Sequence, residues 1–162
     1  MLLDFKPALE HPELLAKPVF DFIHIFDKDR KITVAEINPD YADGELLNQH
    51  YDIPFEMEVN CLVVKGQRGE DVCYTALLVP YGKKAKTNAT IKRPLDVTKV
   101  SFVPLDEVLS ATQMEFGSIT PVGLPQQDQL ILGAGLVKAK LCLPSDLLSK
   151  LPNVQVIEDL AK

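Results

Sequence analysis

NCLVVKGQRGEDVCYTALLVP, residues 60–80, is the stretch on which the fold turns. NCLVVK (60–65) and DVCYTALLVP (71–80) are rich in β-branched and apolar residues. They flank Gly66-Gln67-Arg68-Gly69, whose glycines can adopt the positive φ that a tight hairpin often needs. Residues 61–64 are apolar at every position, so the first strand is expected at the centre of its sheet and covered on both faces. Lys65 stands at its exit, a charge at the mouth of a buried strand.

Upstream, VFDFIHIF (19–26) and KITVAEI (31–37) alternate in the same manner around a polar turn, Asp27 to Arg30, and read as an opening hairpin within residues 1–40. Ala42 to His50 reads as a short helix ended by Ile53-Pro54, with a second helical stretch at Phe55 to Glu58. Downstream come a strand at Ser101 to Val103 and a helix at Pro104 to Gln113, with proline in its first turn. A strand at Gln129 to Leu132, a glycine turn (Gly133-Ala134-Gly135) and a strand near Val137 to Leu143 follow. A helix at Ser145 to Leu151, with Ser145 as N-cap, and a strand near Val154 to Ile157 close the chain. The pattern predicts an α+β single domain over 1–162. Its mixed, mostly antiparallel sheet or partly closed barrel carries short flanking helices.

The 162 residues, 46% hydrophobic and 25% charged, suit one globular core. Apolar runs fall far short of the ~20 residues that span a bilayer, so no membrane association is expected. MLLDFKPALEHPELLAK lacks the features of a secretory signal, and the expected location is the cytoplasm. Cys61, Cys73 and Cys142 are widely spaced and suit neither a disulfide framework nor zinc. The net charge of -6 disfavours indiscriminate nucleic-acid binding, but the charges are segregated. Residues 35–60 hold seven acids and no Lys or Arg, whereas 83–99 hold Lys83, Lys84, Lys86, Lys92, Arg93 and Lys99 against Asp96 alone. That run is either a solvated loop or a patch for phosphates.

Other motifs fail on inspection. Gly133-Ala134-Gly135 begins a dinucleotide fingerprint, but Lys138 occupies the third glycine position. Gly82-Lys83 is followed by Lys84 rather than Ser or Thr, which excludes a P-loop. His11, His24 and His50 are scattered, so neither metal nor cofactor is expected. What remains is Lys65 and the Gly/Pro loop GSITPVGLP (117–125), which by themselves read as a surface lysine at a strand end and a turn, or else as functional features.

Three stretches carry a resemblance: ADGELLNQHYDIPFEMEVNCLVVKG (42–66), VSFVPLDEVLSATQMEFGSITPVGLP (100–125) and LILGAGLVKAKLCLPSDLLSKLP (130–152). In order and spacing they are similar to the YbaK and prolyl-tRNA synthetase editing-domain family, over about residues 40–160. The resemblance implies a trans-acting deacylase that hydrolyses the ester joining a wrong, small amino acid to the tRNA 3′ end, of tRNA-Pro type, partly with the tRNA's own ribose hydroxyl. Lys65 and Gly117 would carry the chemistry. Ser118, Ile119, Thr120 and Pro121, with Gly133, Ala134 and Gly135, would hold the aminoacyl group. Lys83, Lys84, Lys86, Lys92 and Arg93 would meet the tRNA backbone. The implied partners are the acceptor end of a mischarged tRNA and an aminoacyl-tRNA synthetase. Two departures stand out: many members carry a serine where this chain has Gly133, and residues 1–40 match poorly. The alternative is a non-catalytic module of the same fold that binds a tRNA end, a nucleotide or a small ligand.

Overall fold

The computed structural model describes residues 1–86, 89–116, 118, 130–133, 139–148 and 150. Seven strands and five α-helices are seen among them: β1 (Lys6–Pro7), α1 (Lys17–Phe26), β2 (Thr33–Glu36), α2 (Gly44–Tyr51), β3 (Val59–Arg68), β4 (Asp71–Pro80), α3 (Ala89–Lys92), β5 (Lys99–Phe102), α4 (Leu105–Thr112), β6 (Leu130–Gly133), β7 (Ala139–Leu143) and α5 (Ser145–Leu148). The strands form two antiparallel sheets, ordered β1-β2-β7-β6 and β4-β3-β5. Neither closes into a barrel among the described residues, and β6 of the first sheet lies against β3 of the second.

The β3–β4 hairpin forms as its apolar pattern requires, but its turn is tighter than the four residues expected. Arg68 pairs with Asp71, leaving Gly69 and Glu70 as the loop, with Gly69 at φ +61°. Gly66 is a strand residue paired with both Cys73 and Val100. A Cβ there would lie 2.9 Å from both Cys73 Sγ and Val97 Cγ1, so it serves close packing rather than a turn.

The central position of β3, between β4 and β5, agrees with its apolar run. Its burial does not. Val64 is enclosed and packs with Leu77, Val79 and Ile91, whereas Cys61, Leu62 and Val63 are only half-buried. Successive strand residues point to opposite faces. Cys61 and Val63, on the face away from Val64, line an open cleft instead of a core.

The opening hairpin is a correction. Residues 17–26 form α1, not a strand. Pro18 sits in its first turn, where the missing N–H costs nothing, and Val19 and Ile23, four apart, are buried against Leu14, Ile32, Val34 and Leu141. Phe22 and Phe26 stack with centroids 5.2 Å apart, another contact of helical spacing. Tertiary burial of the Val19/Ile23 stripe overrides the β-propensity of the aromatic residues. The buried Asp27 carboxylate then accepts from Lys31 N (2.9 Å) and Ile32 N (2.8 Å), which ties the end of α1 to the start of β2.

The remaining elements follow their local signals. Asp43 caps α2 by accepting from Leu46 N at 3.0 Å, and Asn38 accepts from Asp40 N ahead of it. Pro104 precedes α4 as N-cap. The last helix was expected to reach Leu151, but Lys150 is a turn residue; Ser149, Leu151 and the strand expected near Val154 to Ile157 lie outside the described residues.

Candidate functional site

A cleft of about 560 Å³ opens where the two sheets meet, a volume suited to a small ligand. Cys61 and Val63 of β3 form its floor. Asp40 and the capped start of α2, Asp43 and Gly44, form one wall. Phe102 from the end of β5 and Val108 of α4 form the other, Tyr81 lies at the exit of β4, and Lys140 enters from β7 of the first sheet. The local reasons are those of the fold. The Asn38 and Asp43 caps fix the approach of α2, and Tyr81 N donates to Glu58 O at 2.9 Å, joining the entry of β3 to the exit of β4.

The interior is charged. Glu58 and Lys140 are 6% and 7% exposed, values at which ionic side chains are rarely found without a role. Burial pushes the Glu58 carboxyl up to about 7; the Lys140 charge opposes this and Asp43 adds to it. Burial lowers the Lys140 ammonium, and Glu58 and Asp43 raise it in return. Glu58 Oε1 is buried with no hydrogen-bond partner among the described residues. Such an atom is costly to leave unsatisfied.

Gly44 makes this packing possible. A Cβ there would lie 2.4 Å from two ring atoms of Tyr81 and 2.7 Å from Glu58 Oε2, so any side chain would displace both residues.

The rim is different in kind. Phe102 and Phe116 are 57% and 69% exposed, and Tyr81 stacks on half-exposed Phe55 with centroids 5.1 Å apart. Lys83 and Lys84 follow Tyr81 closely in the chain and are exposed. The cleft therefore has a buried acid and base inside, exposed Asp40 and Asp43 on one wall and an aromatic rim; Lys83 and Lys84 come next in the chain but are not part of its lining.

The residues singled out from sequence are only partly gathered here. Lys65 continues the row of Cys61 and Val63 along β3 but does not line the cleft; its Nζ lies 5.9 Å from the centroid of the Tyr74 ring. Tyr74 Oη donates to Glu107 Oε1 at 3.1 Å, which raises the tyrosine's pKa. Ser118 is 1% exposed, and its N–H donates to Glu115 O at 3.1 Å. Gly117, Ile119, Thr120, Pro121, Ala134 and Gly135 lie outside the described residues. Gly133 ends β6 and pairs with Lys140, which places the start of that turn at the cleft. Arg93 is exposed, and Lys86 and Lys92 are half-buried. His24 stacks on Phe20 of α1 and takes no part in the cleft.

Sequence reasoning missed Glu58, Lys140 and Gly44. A faint signal existed for Lys140, a lone charge inside the apolar run AKLCL. Among the described residues no group of three His, Cys, Asp or Glu is placed to hold a metal, and no helix is long and apolar enough to cross a membrane.

Fold and site together define an α+β domain with a charged cleft between two antiparallel sheets. The aminoacyl-tRNA editing domain model matches residues 38–144, and the chain belongs to that family. No curated protein matches the chain by sequence. Among solved structures, it is similar to a candidate trans-editing enzyme for prolyl-tRNA synthetase, with a TM-score of 0.71 at 16% identity, covering 91% of this chain and 99% of the other. A protein described only as hypothetical aligns with a TM-score of 0.74 at 16% identity over 90% and 100% of the two chains. A structure from the computational grafting of epitopes onto scaffold proteins aligns at 0.71 and 17% identity over 91% and 99%. Identities this low carry the fold, which agrees with the α+β, mostly antiparallel architecture expected.

Proposed function

We propose that this protein is a trans-acting deacylase that hydrolyses the ester between a small, wrongly attached amino acid and the 3′ end of a tRNA of tRNA-Pro type. The carrying observation is a cleft the size of a small ligand with buried charges inside and exposed aromatic rings at its rim. A tRNA end presents phosphates, a purine base and a small cationic aminoacyl group in that order. Lys83 and Lys84 suit the phosphates, with salt-dependent attraction. Exposed Phe102 and Phe116 suit base stacking, worth ~1 to 3 kcal/mol per base. The interior is left for the aminoacyl group.

The reaction needs little beyond position. Water adds to the ester carbonyl carbon, negative charge gathers on the carbonyl oxygen, and the carbon–oxygen bond to ribose breaks as the ribose oxygen takes a proton. An activated ester requires chiefly an oriented water and stabilisation of that oxygen. The loop Gly117 to Pro121 is assigned to hold the aminoacyl end through its backbone, and Lys65, at the margin of the cleft, to attract the terminal phosphate. Editing of this kind is needed because excluding a smaller amino acid from a larger pocket is worth only ~1 to 3 kcal/mol per methylene. A synthetase that makes the error is the natural partner.

A deacylation assay on a panel of mischarged tRNAs tests the proposal, comparing wild type with Lys65→Ala and Gly117→Ala. Wild type is expected to clear at least one small aminoacyl-tRNA well above the uncatalysed rate, and both variants to lose most of that rate. Clearance of none overturns it. The second reading, a non-catalytic module for a tRNA end or small ligand, is favoured by Gly133 standing where many members have serine and by Lys65 lying outside the cleft lining. It predicts binding of the tRNA end without turnover.

A further inference from the structure

We propose that Glu58 is the receptor for the free α-ammonium group of the aminoacyl moiety, with Lys140 set to hold the carbonyl oxygen of the same moiety; this deepens the reading above and rests on it. The first argument is electrostatic. The described cleft lining contains Asp40, Asp43 and Glu58 against Lys140 alone, with Asp40 and Asp43 exposed on its wall, so the cleft as a whole favours a cation over a phosphate. Phosphates of the same substrate are thereby kept outside it, toward Lys83 and Lys84. The polarity of the cleft thus selects the direction in which a tRNA end enters.

The second argument is the unsatisfied carboxylate. Glu58 is more than nine-tenths buried, lines the cleft, and keeps Oε1 without a partner among the described residues. A structural acid at this depth is normally hydrogen-bonded, because an orphaned buried polar group is penalised. Rotation about the last side-chain bond is soft in glutamate and presents an oxygen to a ligand without moving the backbone. An ammonium arriving there supplies the missing donor and the opposite charge at once.

The third argument is shape. Gly44 leaves room for no Cβ beside Glu58 and Tyr81, so the wall of α2 closes on the carboxylate and limits what can lie against it to a small group. Lys140 stands beside the Glu58 charge and pairs through its backbone with Gly133, at the start of the glycine turn. An α-amino ester offers its carbonyl oxygen two bonds from the carbon bearing the ammonium. An acid and a base close enough to shift each other's ionisation offer a partner to each group, where a phosphate or a lone amine would use only one of them. The raised pKa of Glu58 agrees with this: the charge that burial disfavours is restored when a cation arrives.

The test compares two non-hydrolysable adenosine 3′-amides, one carrying alanine with a free amino group and the other N-acetylalanine, by equilibrium binding to the intact protein. Wild type is expected to bind the free-amine form roughly tenfold to a hundredfold more tightly, the range of a charge-assisted hydrogen bond. Glu58→Gln, of nearly the same shape, is expected to bind both alike. Equal binding of the two amides by wild type overturns the assignment, as does a preference that survives in Glu58→Gln. Free alanine that displaces the free-amine amide as well as that amide displaces itself overturns the aminoacyl assignment in favour of a free amino acid. The same pair as true aminoacyl-tRNAs, each rate divided by its uncatalysed rate, separates the two proposals. Hydrolysis of both at equal acceleration refutes the ammonium receptor and leaves the deacylase; preferential amide binding without any hydrolysis refutes the deacylase and supports the receptor.

Discussion

The interior of the cleft and the basic run outside it use the same kinds of charge to different effect. Outside the cleft lining, Lys83, Lys84 and Arg93 are exposed to solvent, where each interaction is screened within about 10 Å at ordinary ionic strength. In the interior, Glu58 and Lys140 are nearly closed off from water, and each perturbs the other's ionisation. Exposed charge attracts and steers; buried charge discriminates, because a wrong partner leaves it unpaired. On the proposed reading, the difference in solvent, not in residue type, would separate recognition of a backbone from recognition of an amino acid.

The largest expected effect breaks the interior. Glu58 keeps its proton in the folded state up to about pH 7, while in the unfolded chain it ionises near 4.5. Below pH 4.5 both states hold the proton and Glu58 is neutral to stability. Between 4.5 and 7 the unfolded chain releases it first, so the folded state loses stability as pH rises, by on the order of 3 kcal/mol once both are ionised. Glu58→Gln therefore stabilises the protein at pH 8 by up to about that amount and leaves it unchanged at pH 4. Thermal melts across this range check it. Lys140→Met acts in the opposite sense on the same group: it removes the charge that favours ionised Glu58, so the titration of Glu58 followed by NMR moves above 7.

Next in size is the wall. Gly44→Ala forces a methyl group into Tyr81 and Glu58, and overpacking of this kind costs about 1 to 3 kcal/mol, partly offset by the better helix propensity of alanine. Denaturant unfolding measures it, and binding of the free-amine amide should fall further than stability does. A variant as stable as wild type with full binding would show that the close approach of α2 to Glu58 has no part in the site.

Smaller again is the margin. Tyr74→Leu removes the ring beside Lys65 Nζ, an interaction worth about 0.5 to 1 kcal/mol at such a position. The smallest effect on stability, within about 0.5 kcal/mol, is expected for the double change Lys83→Ala and Lys84→Ala. Its signature lies in binding: affinity for uncharged tRNA drops, and the dependence on salt becomes shallower by about one unit of log–log slope for each phosphate that a lysine no longer neutralises. An unchanged salt slope would remove these two lysines from the proposed contact with tRNA.

The contrast between the regions also marks what could be read along the chain. The basic run was legible as a local feature, and in the fold Lys83, Lys84 and Arg93 are exposed while Lys86 and Lys92 are half-buried. Lys65 was expected to end an apolar strand, yet β3 runs on to Arg68 and Lys65 pairs within it with Tyr74 and Ser101, and local logic could not tell the margin of a cleft from its interior. Glu58 looked like one acid among seven in residues 35–60, and only packing against Gly44, Tyr81 and Lys140 distinguishes it. Residues 19–26 were misleading for a related reason. Their alternation fits a strand, and their Val19/Ile23 spacing fits a helix; the core formed with Val34 and Leu141 selects the second.

The sequence by itself determined the β3–β4 hairpin, the capped start of α2, helix α4 and the separation of acids from bases, since each follows from neighbours a few residues apart. Tertiary structure alone decided that α1 is a helix, that one face of β3 lines a cleft, and that Glu58 meets Lys140. Those outcomes depend on which surfaces lose water against which others, and desolvation is set by contacts between segments distant in the chain rather than by any local pattern.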